Sequence, residues 1–231
     1  MSPEILTLLR RVDTPTVCNA IEVAQGQRGF DAFTRGTTVC SEPEAAPIVG
    51  YARTATIRGA RPSDDPADAV RARRRDYLRH MASGPRPAVT VIEDLDHPAC
   101  VGAWWGEVHV AVHRSIDHQG ALTNGLVRDL GSLAEGFPVI AGGVGVSHAY
   151  VHVVDFGIPV QILGLTVNDG DLLHADRHGA VVIPPDVLPG IAAAIDRLNR
   201  SERLVLDPAL QGKIDIDTLL EAWGAFEKSR T

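Results

Sequence analysis

The run Gly120-Ala121-Leu122-Thr123-Asn124-Gly125-Leu126-Val127-Arg128-Asp129-Leu130 decides how this chain is read. Ala121, Leu122 and Thr123, set between Gly120 and Asn124-Gly125, have the make-up of a short buried strand. A cation and a carboxylate follow where the strand gives way to a loop or helix. Open α/β sheets place ligands at such strand ends, so Arg128 and Asp129 stand where chemistry can occur. Adjacent side chains need not face one another, so one could hold a metal while the other holds an anion. Read alone, the dipeptide is a surface ion pair, and its surroundings must carry any functional argument.

Outward from this run, β-branched residues predict strands at 48–58, 87–92, 121–124, 137–141, 159–163 and 179–183. Helical spacing predicts helices over 3–27, restarting at Asp13-Thr14-Pro15, and over 65–81, 106–115, 186–203 and 217–228. Up to residue 141 strands and helices interleave, which is α/β order. Past residue 145, short strands follow one another across glycine turns such as Asn168-Asp169-Gly170. The expected fold class is α/β, a single compact domain over 1–231 with a mixed β-sheet and flanking helices. Its core would span about 12–205, with a C-terminal helical extension over 206–231.

The formal charge of -7 argues against nucleic acid as the main partner, because phosphate binding needs basic patches. The concentrated basic stretch, Arg71-Ala72-Arg73-Arg74-Arg75, reads as a solvated helix face, with a subunit contact or an anion site as alternatives. Cys18, Cys40 and Cys100 form no CxxC, so buried free thiols are expected rather than disulfides or a zinc ribbon. Met1-Ser2-Pro3-Glu4 lacks the pattern of a secretion signal and no 18-residue apolar run occurs. A cytoplasmic protein with no membrane partner is the expectation.

Gly106-Glu107-Val108-His109 opens a helix, whose unpaired amides and positive dipole end suit a small carboxylate. Glu107 would lie beside that anion and could bind a metal directly or through water; helix N-terminal charge placement explains it equally simply. His109 and His113 stand at i and i+4, a spacing that can share one metal, although a polar face or an interface accounts for them as well. Ser147 to Asp155 is rich in Ser, His and Asp. Strand alternation would put His148, Tyr150 and His152 on one face and Ser147 on the other, and no G-x-S-x-G elbow is present. Asp176 and Arg177, beside a tight turn at His178-Gly179, read as structural.

In order along the chain, these pieces resemble the RraA-like family, which includes the 4-hydroxy-4-methyl-2-oxoglutarate/4-carboxy-4-hydroxy-2-oxoadipate aldolases. The likeness rests on Glu107, twenty intervening residues and then Arg128-Asp129, with Gly125-Leu126-Val127, Phe137-Pro138-Val139, Gly170-Asp171-Leu172 and the Asp176 to Pro184 run around it. Thr14 to Ala20 and Gly50 to Thr54 also resemble family stretches.

The resemblance implies a fold of the swivelling β/β/α type, assembled as a homotrimer or hexamer with sites between subunits. It implies a divalent metal, magnesium (or manganese), held by Asp129, with Glu107 acting through metal-bound water. Arg128 would bind the carboxylate or oxo group of a 2-oxo acid, and the segment Gly106, Val108 and His109 would cradle it through backbone amides. Glu202, by rough spacing, would reach a neighbouring subunit's metal site. Glu107 stands where aldolase members prefer aspartate, and so does Asn19. The Trp104-Trp105 pair and the His-rich 147–152 stretch read as subfamily features.

The expected activity is therefore that of a metal-dependent carbon–carbon lyase, by retro-aldol release of pyruvate or by oxaloacetate decarboxylation. Such cleavage needs positive charge where an oxygen becomes negative, which a divalent ion and an arginine supply. A Schiff-base lysine is not required, and the two lysines, Lys213 and Lys228, both lie near the C-terminus. The rival readings are a non-catalytic RraA-type regulator that binds a protein partner, and a hydrolase or isomerase that uses His148 or His152.

Overall fold

The computed structural model describes residues 1–230. In chain order the elements are α1 (Pro3–Leu9), α2 (Thr14–Gln25), β1 (Val39–Cys40), β2 (Ile48–Arg58), α3 (Ala67–Ala82), β3 (Ala88–Asp94) and β4 (Ala103–Trp105). Then come α4 (Glu107–Ser115), β5 (His118–Thr123), β6 (Leu126–Val127), β7 (Val139–Ala141), β8 (Gly143–Val144), β9 (His152–Phe156), β10 (Val160–Ile162) and β11 (Leu165–Val167). The last are β12 (Leu172–Asp176), β13 (Gly179–Val182), α5 (Ile191–Leu210) and α6 (Ile216–Arg230). By contacts the chain divides into two units, one of residues 1–14 and 32–183, the other of residues 15–31 and 184 onward.

The first unit is built on a sheet of order β1-β7-β5-β3-β2-β12-β13. β2, β3, β5 and β7 run parallel, and β1, β12 and β13 add antiparallel margins, so the sheet is mixed as expected. The long β2 is shared along one edge: Ile48–Tyr51 pairs with β12, and Ala55–Arg58 pairs with β9. Parallel strands covered on both faces tolerate unbroken apolar runs, which explains Ala88-Val89-Thr90-Val91-Ile92. Alternation sends Val89, Val91, Leu122 and Ile140 to one core, and Ile92, Ala121 and Val139 to the other. The second core also holds Tyr77 and Met81 of α3, Val110 of α4, and Trp104, Trp105 and Phe137.

The second unit comprises most of α2 together with α5 and α6. α5 and α6 pack on each other, and Arg197 Nε donates to the Ser229 carbonyl at 3.1 Å. α5 begins later than the sequence pattern suggests, because Pro189-Gly190 confines residues 188–190 to a 3₁₀ turn. It then continues to Leu210 through Pro208, which sits in the last turn and forfeits only one backbone bond. Among the described residues no helix is long and apolar enough to cross a membrane.

One sequence expectation is overturned. Ser147 to Tyr150 is not strand: Ala149 takes φ 42°, which turns the chain, and β9 starts only at His152. His148, Tyr150 and His152 therefore do not share a strand face.

Three histidines are buried in the first unit. His118 Nε2 faces the Met81 carbonyl at 2.8 Å and must carry the proton there, so Nδ1 accepts from the Thr90 hydroxyl at 2.7 Å. His113 likewise donates through Nδ1 to the His109 carbonyl and accepts from the Tyr77 hydroxyl. His174 donates to the carbonyls of Leu9 and Val12 and accepts from the Thr14 hydroxyl. Burial pushes His113 down to about 3 and His118 down to about 4, and it lowers His174. These groups stay neutral when folded but take up protons near pH 6.5 when unfolded, so stability falls with pH below that value and the loss saturates near the folded values. The urea midpoint should drop steadily from about pH 7 to about pH 4.5, and His118→Gln, which can keep both hydrogen bonds, should flatten the slope. An unchanged slope in that variant would show that other groups govern acid sensitivity.

Candidate functional site

Beside the main sheet, β4, β6 and β8 form a small parallel sheet. Its register is fixed by close backbone approaches. The Gly142 amide donates to the Gly125 carbonyl at 2.9 Å, and a Cβ on Gly142 would lie 2.2 Å from the Asn124 oxygen. Asn124 in turn locks the ends of β3 and β5 together, accepting from the Asp94 amide at 2.7 Å and donating to the Asp94 carbonyl at 3.1 Å. The Arg128 amide then donates to the Trp105 carbonyl at 2.9 Å. Two segments more than twenty residues apart in sequence thereby end side by side: Gly106-Glu107 after β4 and Arg128-Asp129 after β6.

Asp129 adopts φ 59°, the left-handed region. For a residue other than glycine this costs on the order of 1–3 kcal/mol, and aspartate is among the residues that tolerate it best. In that conformation Oδ2 accepts from the Glu107 amide at 3.1 Å, at the start of α4. Arg128 Nη1 lies 2.9 Å from the Asp129 carboxylate, and Arg128 Nε is buried without an acceptor. The two side chains thus face each other, where the sequence left open separate duties for them.

Gly106 takes an extended φ of -162° that any residue can adopt. Space, not backbone freedom, demands glycine. A Cβ there would sit 2.6 Å from Asp129 Oδ2 and 3.1 Å from Arg128 Cζ. The first intrahelical bond of α4 runs from the Val110 amide to the Gly106 carbonyl at 3.0 Å, so the amides of Val108 and His109 have no intrahelical acceptor. That is the donor pair expected to cradle a carboxylate.

A cavity of about 250 Å³ opens here, lined by Arg74, Trp104, Val108, His109, Arg128, His148 and Val151. It falls below the range of about 300–1,000 Å³ typical of drug-sized ligands, which suits a small metabolite. The His109 ring stacks on Trp104 with centroids 4.2 Å apart and an interplanar angle of 10°, and Nδ1 donates to the Trp104 carbonyl at 2.6 Å. Burial holds His109 below its ordinary range despite that bond, and the charges of Arg74 and Arg128 push the same way. His109 is therefore a neutral wall, and the arginines carry the charge.

Asp129 retains partial exposure, and the Glu107 side chain is exposed with no partner. Two carboxylates and water suit magnesium, which keeps several waters and needs few protein ligands. Among the described residues no cluster of three or more His, Cys, Asp or Glu side chains is arranged to hold a metal, so a closed zinc-type site is not built here. Glu202 lies half-buried on α5, in the second unit.

The other sequence candidates fall elsewhere. His113 points into the core between Tyr77 and Trp105, so it neither shares a metal with His109 nor lines a polar face or an interface. Ser147 Oγ accepts from the Ala149 amide and His148 Nδ1 donates to the Ala149 carbonyl, so neither bonds the other. Asp176 accepts from the amides of Thr14 and His178, a structural role as expected. Cys18, Cys40 and Cys100 form no disulfide and are only half-buried, and burial drives Cys100 up to about 12. Arg74 emerges as a cavity residue signalled only by the basic run at 71–75, whereas His148 and Trp104, which also line the cavity, stood in stretches that the sequence had already singled out.

Residues 14–182 match the RraA-like family model, described as Aldolase/RraA. The chain belongs to the RraA-like family. It is 32% identical over 109 residues to protein DlpA of Legionella pneumophila, a match covering 45% of this chain and 17% of DlpA. Among solved structures it resembles an uncharacterized protein from Pseudomonas syringae pv. tomato, with TM-score 0.71, 19% identity and coverage of 97% and 94% of the two chains. It also resembles Streptomyces coelicolor RraAS2, described as an unusual member of the RNase ES inhibitor RraA family, with TM-score 0.62, 22% identity and coverage of 88% and 94%. These likenesses establish the RraA-like α/β fold.

Gly106→Ala tests the close approach directly. The variant should fold with a small change in thermal midpoint, yet bind manganese roughly 10–100-fold more weakly, because the methyl group displaces the Asp129 carboxylate. Unchanged affinity by calorimetric titration would separate Asp129 from metal binding.

Proposed function

We propose that this RraA-like protein is a divalent-metal-dependent lyase acting on a 2-oxo acid, releasing pyruvate by retro-aldol cleavage, decarboxylating oxaloacetate, or both. The observation that carries this reading is the Asp129 carboxylate fixed at the N-terminus of α4, with Arg128 beside it on a small cationic cavity. Asp129 and, through water, Glu107 would hold magnesium or manganese. Such an ion, when bound, supplies Lewis-acid charge to the 2-oxo group.

The chain's own groups do the remaining work. The Val108 and His109 amides and the dipole of α4 bind the substrate carboxylate. Arg128 orients the 2-oxo end and offsets the negative charge that builds on its oxygen as the carbon–carbon bond breaks. The exposed Glu107 carboxylate is placed to orient water and to accept or return a proton. The Trp104–His109 stack forms an apolar wall that limits water at the reacting carbons. This reading also assigns Glu202 to a neighbouring subunit's site within a homotrimer or hexamer, and places the protein in the cytoplasm.

Pyruvate release coupled to lactate dehydrogenase tests the proposal. The substrates are 4-carboxy-4-hydroxy-2-oxoadipate, 4-hydroxy-4-methyl-2-oxoglutarate and oxaloacetate, each with magnesium or with excess chelator. Release should require the metal. Asp129→Asn should abolish it while leaving the thermal midpoint near that of the parent, and Arg128→Ala should cost on the order of 10²-fold or more. A near-normal rate in Asp129→Asn would sink the assignment. Absence of both release and metal binding would favour the reading as a regulator that binds a protein partner.

A further inference from the structure

The cavity beside Arg128 is one end of a longer cleft. It shares Arg74, His148 and Val151 with a second cavity of about 460 Å³. That one shares Pro62, Ser63 and His152 with a third of about 490 Å³, which ends at Arg58 and Arg61. One bank is the 58–65 segment with the start of α3; the other is the turn from His148 to His152. That turn is held in a fixed shape. Ala149 keeps φ 42°, a conformation alanine rarely adopts, and backbone strain of this kind clusters at active sites and ligand clamps. The Ala103 amide donates to the Ser147 carbonyl at 2.8 Å and the Tyr150 amide to the Gly59 carbonyl at 3.2 Å, while a Cβ on Gly102 would lie 2.6 Å from the His148 oxygen. Three side chains are thereby presented to the cleft. His148 Nδ1 donates to the Ala149 carbonyl and His152 Nδ1 to the Tyr150 carbonyl, both at 2.8 Å, so each neutral ring keeps Nε2 as an acceptor for a ligand. Tyr150, 56% exposed, adds a ring face and a hydroxyl.

Charges along the second and third cavities are largely compensated. Arg58 pairs with Asp96 at 3.2 Å, Arg71 with Asp68, and Asp65 with Arg73 at 2.7 Å, and Arg61 and Asp64 line the same cavity with opposite signs. Such a surface favours a neutral polar chain over a further anionic group. It offers donors from Ser63 and Tyr150, acceptors from the two imidazoles, and apolar surface from Val70 and Val151. A polyhydroxylated carbon chain matches that mixture, since each carbon carries a hydroxyl that donates and accepts and a C–H that packs on aliphatic or aromatic surface.

We propose that the cleft binds the polyhydroxylated tail of a sugar-acid ligand whose carboxylate end lies at Arg128, so that the site takes 4-hydroxy-2-oxo acids bearing further hydroxyls beyond C4. The position of the 2-oxo end rests on the lyase reading above; recognition of the tail rests on the cleft alone. In such a substrate the C4 hydroxyl gives its proton to Glu107 and becomes an aldehyde oxygen, the C3–C4 bond breaks, and its electron pair passes to C3. Return of the proton to C3 gives pyruvate, and a hydroxyaldehyde leaves along the cleft.

The test is calorimetric titration of the full chain in excess chelator, which removes metal from the comparison. D-Gluconate and hexanoate share chain length and a carboxylate and differ in hydroxyls, and pyruvate is too short to leave the first cavity. The parent protein should bind D-gluconate about tenfold or more tightly than hexanoate, the difference that one or two net hydrogen bonds provide. His152→Ala, at a half-buried position, should weaken D-gluconate by about tenfold and leave hexanoate and pyruvate unchanged. Tyr150→Phe, which keeps the ring and removes the hydroxyl, should weaken D-gluconate a few-fold and likewise spare the other two. Three outcomes would overturn the proposal: hexanoate binding as tightly as D-gluconate, a preference that survives both substitutions, or parallel weakening of pyruvate. The lyase reading is judged separately, by metal-dependent cleavage of 2-oxo-3-deoxygluconate to pyruvate and glyceraldehyde. A D-gluconate preference lost in these variants, in a protein that cleaves neither this nor the shorter acids, upholds the cleft and rejects the lyase reading alone. Pyruvate release from the shorter acids without any D-gluconate preference rejects the cleft alone.

Discussion

The hydrogen bond from the Glu107 amide to Asp129 Oδ2 is the contact on which the site depends. It joins the first turn of a helix to the end of a strand through a carboxylate, and it exists only because several backbone constraints coincide. Gly106 must lack a side chain, Asp129 must accept a left-handed φ, and β4 and β6 must lie in register so that Arg128 meets Trp105. A carboxylate at a helix N-terminus is stabilised by the dipole and by unpaired amides, which offsets part of the backbone strain at Asp129. Strain at a residue that also carries the candidate chemistry is the pattern of a site held in place by its surroundings.

Those surroundings extend into both layers of the first unit. Asn124 fixes the ends of β3 and β5 by bonding both backbone groups of Asp94, and Gly142 allows β8 to pass close over it. Behind the helix start, Trp105 and Phe137 fill the core on which α4 rests, with ring centroids 5.8 Å apart. The site thus stands on short elements whose positions are set by larger ones, and rigidity is what a small substrate requires for orientation.

Much of this was legible in the sequence for a definite reason. Strands buried on both faces, such as Ala88-Val89-Thr90-Val91-Ile92, announce themselves by composition, and the interleaving of strands and helices up to residue 141 reflects the parallel β2-β3-β5-β7 core. Glu107 and Arg128-Asp129 were legible as a spaced motif, yet the direct pairing of Arg128 with Asp129 was not, because it depends on a backbone angle. The 147–150 turn was misread because alternating His, Tyr and His imitates a strand, and nothing in the residues announces the left-handed Ala149. Arg74 was hidden among neighbours of the same type. Only three-dimensional placement separates Arg74, which lines the cavity beside Arg128, from Arg71, Arg73 and Arg79, which meet aspartates.

The histidines near the site show why the arginines, and not they, must handle charge. His113 donates to the His109 carbonyl, and His109 donates to the Trp104 carbonyl, so each ring has one nitrogen committed to a backbone oxygen. The Tyr77 hydroxyl meets His113 at 2.6 Å and leaves its second nitrogen an acceptor, which holds that ring in one neutral tautomer. Burial favours the same neutral state for both rings. Were either ring charged, it would repel Arg74 and Arg128 and compete with them for an anion. With both held neutral, the cationic character of the cavity derives from guanidinium groups that do not titrate near neutral pH. The sequence thereby separates two duties: imidazoles set shape and hold the helix start, while arginines provide a constant positive field over the physiological range.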